Sequence, residues 1–284
     1  MQSVVINGRK IAYQDTGTGP AVILAHCSSA SHREWTHLTT AIQDRYRVLA
    51  PDLIGYGKSD RWPEGGMLTP ADDPGVLLGL ANQIDGPVHL AAHSYGAAAA
   101  LEAALALGDR VQSLTLIEPV SFHLLKLGSH PEWNRVQSVA ARVSEAVAAG
   151  RKEQAAAGFM KYWIGPLRWW LTPRKAREKI AETMGKVAAE FGMLSGMTRT
   201  PDQYGAITRP TRLIYGGKTR PAARAVIDIL SRAITHAEVR VVPRAGHMSP
   251  FTHPAAISGL IASHLDAVHT PPKLWDSSEP VNSR

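Results

Sequence analysis

Ser94 stands in the segment AAHSYG, between an apolar run and an alanine-rich run, and a serine in that place could act as a nucleophile. Ala92 and Gly96 flank it at two residues on either side, which is the small-x-Ser-x-small pattern of a tight strand-to-helix turn. Such a turn lifts the serine hydroxyl to the top of a sheet and aims the backbone N–H of Tyr95 at a substrate oxygen. Because an ordinary strand-to-helix turn can carry the same five residues, the pattern is weak by itself.

His247, in the segment RAGHMSPFTHP, is the residue best placed to take a proton from such a serine. It follows the last predicted strand, and Gly246 before it lets the loop turn sharply. Two other histidines near these segments are expected to have different places. His253 precedes Pro254 and should end the loop, whereas His93 adjoins the serine but should point its side chain into the protein. We therefore expect His247 to be the general base.

Short apolar strands alternate with helices up to residue 119, which predicts an α/β fold with a sheet of parallel type. An Asn-Gly hairpin precedes this alternation. From residue 121 to 207 no strand-like run appears, and the segment is helical and charged; the alternation resumes at TRLIYGG. We predict a core over residues 1–120 and 208–268, a helical cap over residues 121–207 and a loose tail over residues 269–284.

The order of these segments resembles the α/β-hydrolase superfamily over about residues 3 to 267. The loop HCSSASHREW occupies the place where that family usually reads His-Gly-x and supplies an oxyanion N–H. His26 matches and should support the loop by hydrogen bonds, Cys27 replaces the glycine, and Ser28 takes the donor position. The segments PDLIGYGKSD and RAGHMSPFTHP resemble two further loops of the family. The resemblance implies a mostly parallel eight-stranded sheet flanked by helices, and an oxyanion hole formed by the N–H groups of Ser28 and Tyr95.

The triad acid departs from the commonest pattern of that family, which places an aspartate just after the strand TRLIYGG. Thr219 stands there, and its hydroxyl could accept a hydrogen bond from an imidazole N–H but could not stabilise a charged imidazolium. Glu118 ends the preceding strand, LTLIEP, and some branches of the family carry their acid at that strand end. Adjacent strands lie about 4.8 Å apart, so a glutamate could reach the same imidazole. We expect the triad Ser94–Glu118–His247, unless Glu118 instead caps a cap helix or pairs with an arginine.

The resemblance implies hydrolysis without a cofactor, through an acyl-enzyme on Ser94. The epoxide- and haloalkane-cleaving branches of the family use an aspartate at the position of Ser94, so the serine favours a small carboxylic ester, with a lactone second. A carbon–carbon bond hydrolase or a lyase could use the same triad. A non-catalytic protein that binds a ligand beneath the cap is the third alternative.

The cap is expected to lie over the carboxyl ends of the strands, where this type of sheet binds ligands. The tryptophans of YWIGPLRWWL could form the wall of an apolar pocket, or they could only pack the cap onto the core. The thiol next to the oxyanion donor could be a small core side chain or could lie near the pocket. The candidate pocket residues are Cys27, Trp163, Trp169, Trp170 and Met248.

The chain has a net charge of +7, and the positive excess is concentrated between residues 120 and 210. Charges in LTPRKAREK and MGKVAAE alternate in sign along predicted helices, which is typical of a solvated helical face. A positive rim that attracts anionic substrates is the alternative. No basic stripe with interleaved aromatic residues appears, so we expect a small-molecule substrate and no nucleic acid as partner.

Composition also bears on metals, disulfides and location. Cys27 is the only cysteine, and neither an HExxH motif nor a close acidic cluster is present, so no disulfide and no metal site are expected. The segment MQSVVINGRK has no apolar signal region, and no run approaches eighteen apolar residues. We expect a cytoplasmic protein with no membrane partner, and a homodimer is left open.

Overall fold

One eight-stranded sheet forms the centre of the computed structural model, which describes residues 1–269. Apart from His269, the predicted tail lies outside the described residues. The strands are β1 (Gln2–Ile6), β2 (Arg9–Thr16), β3 (Ala21–Ala25), β4 (Arg47–Pro51), β5 (Val88–His93), β6 (Val111–Ile117), β7 (Thr211–Gly216) and β8 (Ala237–Val242). Their order across the sheet is β1-β2-β4-β3-β5-β6-β7-β8. Because β2 is antiparallel to β1 and β4 while the other neighbours are parallel, the predicted fold class is confirmed.

The strands β5, β6 and β7 lie side by side, and the candidate site stands at their ends. They are almost entirely buried, which agrees with their nearly continuous apolar runs and with helices on both faces. In the register, His93 pairs with Ile117, and Ile117 pairs with Ile214. The residues that follow these positions therefore meet at the carboxyl edge of the sheet.

The described residues form thirteen α-helices, which cover the sheet and build the cap. Their bounds are α1 (Thr36–Ile42), α2 (Asp73–Ala81), α3 (Tyr95–Leu107), α4 (His123–Leu127), α5 (Glu132–Ala148), α6 (Lys152–Ile164), α7 (Pro166–Leu171), α8 (Arg174–Glu182), α9 (Met184–Gly196), α10 (Pro201–Tyr204), α11 (Pro221–Ala233), α12 (Ser249–Thr252) and α13 (Pro254–His269). Apolar residues of α2, α3 and α11 belong to one core cluster, and those of α1 and α13 to the other. None of these helices combines the length and the apolar character that a membrane span needs.

The helices α4 to α10 form the insertion between β6 and β7 that the sequence predicts as a cap. Within it, α5 packs against α6 and α9, and α6 packs against α8. The buried residues of α5 include Val136, Val139 and Val143, whose spacing of three and four residues places them on one helix face. The insertion is therefore an α-helical layer with its own buried apolar face, continuous with the larger core cluster.

Candidate active site

Ser94 occupies a strained turn between β5 and α3. Its backbone has φ 55° and ψ −117°, a conformation that costs a residue with a side chain about 1 to 3 kcal/mol. The turn is held by a hydrogen bond from the Ser94 N–H to the Ile117 carbonyl, at 2.9 Å. A Cβ on Gly96 would lie 2.4 Å from the carbonyl oxygen of His26, so the second small residue of the pattern is sterically required. The local fold thus presents the Ser94 side chain at the edge of the sheet.

His247 lies between Ser94 and Glu118 and is hydrogen-bonded to both. Its Nε2 is 2.9 Å from Ser94 Oγ, and its Nδ1 is 2.7 Å from Glu118 Oε2. All three residues are buried, with 5% or less of their surface exposed. This is the order of contacts that lets a histidine take the proton of a serine while a carboxylate holds its ring. The structure therefore brings the three predicted residues together.

Glu118 follows β6 with a positive φ of 44°, which turns its side chain towards β7. Its backbone N–H donates to the Ile214 carbonyl at 2.9 Å, and the N–H of Gly216 donates to Oε1 at 2.9 Å. The Thr219 hydroxyl donates to Oε2, the same oxygen that faces the imidazole. The sequence left open whether Thr219 has a role with His247; in the structure the imidazole Nδ1 faces the carboxylate of Glu118, and Thr219 donates to that carboxylate.

The charges of the site follow from burial and from these hydrogen bonds. Burial raises the pKa of Glu118, but hydrogen bonds from His247, Thr219 and Gly216 outweigh it, and the pKa lies below its ordinary value. Burial lowers the pKa of His247 more than Glu118 raises it, so the imidazole is neutral near pH 7. An ionised Glu118 can only accept, which places the imidazole proton on Nδ1. Nε2 is then free to accept the proton of Ser94.

The predicted oxyanion donors, Ser28 and Tyr95, both border the cavity beside Ser94. Tyr95 is the first residue of α3, so its N–H has no acceptor within the helix. His26 supports the loop as expected: its Nε2 accepts from the Leu53 N–H at 2.9 Å, and its Nδ1 lies 2.7 Å from the Cys27 carbonyl oxygen. Both candidate donor residues therefore belong to segments that border the cavity beside Ser94.

His93 turns away from the cavity, as expected, and pairs with Glu34, a residue that sequence reasoning missed. Its Nδ1 lies 2.6 Å from Glu34 Oε1, and its Nε2 lies 2.9 Å from the His247 carbonyl oxygen. Burial lowers the pKa of His93, but Glu34 outweighs it, so the pKa is raised. Cys27 completes a group of three potential metal ligands within 4.8 Å of one another. Because both nitrogens of His93 and both oxygens of Glu34 already have protein partners, this group is a hydrogen-bonded support for the loop that bears His247.

Trp163 is the one predicted pocket residue that borders the cavity. Its ring stacks on the imidazole of His247, with 3.6 Å between ring centroids and 17° between planes. The cavity is small, with about 280 Å³ of empty space including its opening to solvent. Its remaining walls are mostly apolar side chains of the cap and of the segment after β6, namely Val120, Phe122, Phe159, Val187, Phe191 and Leu194.

The other predicted pocket residues, Cys27, Trp169, Trp170 and Met248, do not border this cavity. Trp170 is 71% exposed, whereas Trp169 is buried beside the guanidinium of Arg177. Both stand on α7, which begins after a break at Gly165 with φ 83° and does not continue the direction of α6. Cys27 is buried, and Met248 is partly buried at the start of α12.

Sequence reasoning also missed Lys186 and Glu190, which it assigned to a solvated face of MGKVAAE. Both are only 2% exposed, and Glu190 borders the cavity beside Ser28. Their spacing of four residues indicates an ion pair on one helix face, but the same spacing is typical of ion pairs on exposed helices, so it does not indicate burial. The sequence feature that could have indicated burial is the set of apolar residues around them, since Val187, Phe191 and Leu194 on the same helix are buried.

Comparisons with known proteins identify the family of this chain. The model of the Alpha/beta hydrolase family matches residues 22–260. An epoxide hydrolase of Caballeronia sordidicola is 34% identical over 114 residues, which are 39% of this chain and only 34% of that protein. Haloalkane dehalogenase 2 of Mycobacterium tuberculosis is 25% identical over 89% of this chain and 90% of its own.

A solved structure of a thermophilic esterase from Thermogutta terrifontis superposes with a TM-score of 0.77. It is 26% identical in sequence, and the superposition covers 95% of this chain and all of that one. The relatives differ in the reactions that their names state. The family match spans most of the chain, including β4 to β8, the cap and the segments that bear Ser94, Glu118 and His247. The chain therefore belongs to the alpha/beta hydrolase family.

Proposed function

We propose that this protein is a serine hydrolase that cleaves a small carboxylic ester through an acyl-enzyme on Ser94. One observation carries the proposal: an unbroken hydrogen-bonded chain runs from Ser94 Oγ through both nitrogens of His247 to the buried carboxylate of Glu118. Such a chain serves a nucleophilic hydroxyl that has to lose a proton during attack.

In the proposed reaction, Ser94 Oγ attacks the ester carbonyl carbon while His247 Nε2 accepts the hydroxyl proton. The carbonyl oxygen becomes an oxyanion and receives hydrogen bonds from the N–H groups of Ser28 and Tyr95. His247 then returns the proton to the departing alkoxide, which leaves the acyl group on Ser94. Water attacks this acyl-enzyme by the same steps, releasing the acid. Glu118 stabilises the imidazolium that forms in each half of the reaction.

The cavity supports a small substrate with an apolar acyl group. Phe122, Phe159 and Phe191 contribute aromatic walls, and no charged side chain other than Glu190 borders the space within the described residues. A lactone fits the same chemistry, since its ring oxygen would be the leaving alkoxide. The likeness to the Thermogutta esterase favours the ester, whereas the named reactions of the epoxide hydrolase and the dehalogenase do not use an ester.

A fluorophosphonate probe and a panel of substrates test the proposal. Purified protein should be labelled on Ser94, and Ser94→Ala should remain unlabelled while keeping its circular dichroism spectrum. The panel contains short p-nitrophenyl esters, lactones, an epoxide, a haloalkane and a vinylogous diketone. Turnover of esters with loss in Ser94→Ala is the expected result. Turnover of the diketone alone would instead support carbon–carbon hydrolysis, and folded protein without labelling would support a binding protein.

A further inference from the structure

Glu190 is a buried carboxyl group at the wall of the catalytic cavity, and the proposed ester hydrolysis does not use it. It lies on α9 of the cap, and its Oε2 is 2.5 Å from the hydroxyl oxygen of Ser28. Among the described residues that border the cavity, it is the only one with an ionisable carboxyl or amino group. A carboxyl group in an apolar wall is costly to bury unless it has hydrogen-bond or ion-pair partners. The partners of Glu190 therefore indicate how it is held there.

Lys186 connects Glu190 to the core of the protein. Its Nζ donates to Asp73 Oδ2 on α2 and lies 3.4 Å from Glu190 Oε1. The Tyr56 hydroxyl donates to Glu190 Oε1 at 2.6 Å, and the Tyr95 hydroxyl donates to Asp73 Oδ2 at 2.7 Å. The carboxyl of Glu190 is thus held at a fixed place relative to the oxyanion loop.

The donors in this network do not exhaust the acceptor capacity of Glu190. A carboxylate has about four lone-pair directions. Among the described residues, Oε1 receives Tyr56 and Lys186, whereas Oε2 receives a single donor, Ser28. One acceptor direction therefore remains at Oε2, the oxygen next to the residue whose N–H would hold the substrate carbonyl. A hydrogen-bond donor on a ligand bound in the cavity would use it.

We propose that Glu190 is a specificity residue that selects esters or lactones bearing a hydroxyl group on the carbon next to the carbonyl carbon, or on the one beyond it. This inference rests on the proposed function. The substrate hydroxyl donates to Oε2 while the apolar walls hold the rest of the acyl group. Since Oε2 contacts Ser28, the donor has to stand within a few bonds of the reacting carbonyl. A substrate carboxylate at that place would be repelled by the ionised form of Glu190, whose Oε2 it would face.

Matched pairs of substrates test this inference. The kcat/KM of p-nitrophenyl 3-hydroxybutyrate is compared with that of p-nitrophenyl butyrate, and α-hydroxy-γ-butyrolactone with γ-butyrolactone. Because burial raises the pKa of Glu190, the assays are run at about pH 8.5, where more of it is ionised. We expect the wild-type protein to prefer a hydroxylated substrate about tenfold or more, the size expected for a hydrogen bond to a charged acceptor. p-Nitrophenyl hemisuccinate, which carries a carboxylate instead, should be the poorest ester.

Variants assign any preference to Glu190. The preference is the ratio of kcat/KM for the hydroxylated substrate to kcat/KM for its matched substrate without the hydroxyl. Glu190→Leu should bring this ratio to about 1, and Glu190→Gln should give an intermediate ratio, since an amide oxygen is a weaker acceptor. Leu194→Ala, on the same helix and the same cavity wall, changes the volume without a polar group and should keep the wild-type ratio. If Glu190→Leu does not fold, the wild-type ratio and Glu190→Gln decide. Equal rates for the matched pairs in a wild-type protein that labels on Ser94 would overturn this inference alone, as would a preference unchanged in the variants. Failure to turn over any ester would overturn both proposals.

Discussion

The hydroxyl of Thr219 donates to Glu118 Oε2, the same carboxylate oxygen that lies 2.7 Å from His247 Nδ1. The two residues follow neighbouring parallel strands, β6 and β7, whose ends stand side by side. Thr219 thus occupies the position where the family most often has its acid, and it donates a hydrogen bond to the candidate acid, Glu118, on the adjacent strand. A hydroxyl that donates to a carboxylate favours the charged form of that carboxylate.

The first prediction separates the two residues. Glu118→Gln should lower kcat by about 10³ to 10⁴, since an amide cannot stabilise the imidazolium and favours the wrong tautomer. Thr219→Ala should lower kcat by less than about tenfold, because it removes one of several hydrogen bonds to the acid. Thr219→Ser keeps the hydroxyl and is the matched control. Steady-state kinetics on the best ester checks the ranking of kcat among these variants. A near-normal kcat in Glu118→Gln together with a loss of kcat in Thr219→Ala would contradict the triad.

The pH dependence follows from the lowered pKa of His247, since the base has to be neutral to accept a proton. A pKa below its ordinary value of about 6.5 keeps the imidazole neutral to lower pH. The acidic limb of kcat/KM should therefore have its midpoint below about 6.5, because this profile reports the free enzyme. In Glu118→Gln the charge that raises this pKa is gone, so the residual activity should have its midpoint at still lower pH. A midpoint that moves upward in this variant would rule out the electrostatic role of Glu118.

Trp163 covers one face of the His247 ring and helps to keep water from it. Trp163→Ala should lower kcat/KM by about 10- to 100-fold and move the acidic limb upward, since burial is the main cause of the lowered pKa. Trp163→Phe keeps a stacking ring and should retain more activity. Trp170→Ala, at a side chain that is 71% exposed, should leave rate and stability nearly unchanged. Equal effects of the two alanine variants would show that the stack has no part in catalysis.

Lys186 is the cation of a buried network with two carboxyl groups, Asp73 and Glu190. Lys186→Met should lower the free energy of unfolding by about 3 to 5 kcal/mol at pH 7, because it leaves those carboxyls without their cation. The loss should shrink as the pH falls, since burial raises the pKa of Glu190 and its protonated form does not need a cation. Urea unfolding monitored by tryptophan fluorescence measures both effects, with exposed Lys179→Met as the control, expected within about 0.5 kcal/mol of wild type. A pH-independent loss would assign the effect to packing.

The sheet could be predicted from the sequence because its strands are short, continuous apolar runs bounded by turn residues. β5 and β6, for example, are buried almost throughout, and the element order left few arrangements open. Glu118 could be predicted because some branches of the family carry their acid at this strand end, and because the spacing of adjacent strands lets a glutamate there reach the same imidazole. The contacts of Ser94, Glu118 and His247 agree with that expectation.

The cap was harder to predict, since the faces of its helices are decided by tertiary packing. Lys186 and Glu190 have the spacing of an exposed ion pair, and only the folded chain places Asp73, Tyr56 and Ser28 around them. In the same way, the sequence WW gives no indication that the chain turns at Gly165 and directs Trp170 to solvent. Charge pattern and composition are local properties, whereas these contacts join residues more than 100 positions apart.

The location of Glu118 has a consequence for exchanging caps between related proteins. Only two residues, Pro119 and Val120, separate it from the predicted first residue of the cap, so the candidate acid lies directly before the insertion, at the end of β6. In a relative whose acid follows β7, a foreign cap could be spliced in at the end of β6 without altering any triad residue. Here a splice at that point would disturb the positive φ and the backbone hydrogen bond that aim Glu118 at His247. Recombination of caps in this branch is therefore expected to succeed only when the donor segment begins after Val120 and preserves the path of the chain through Glu118.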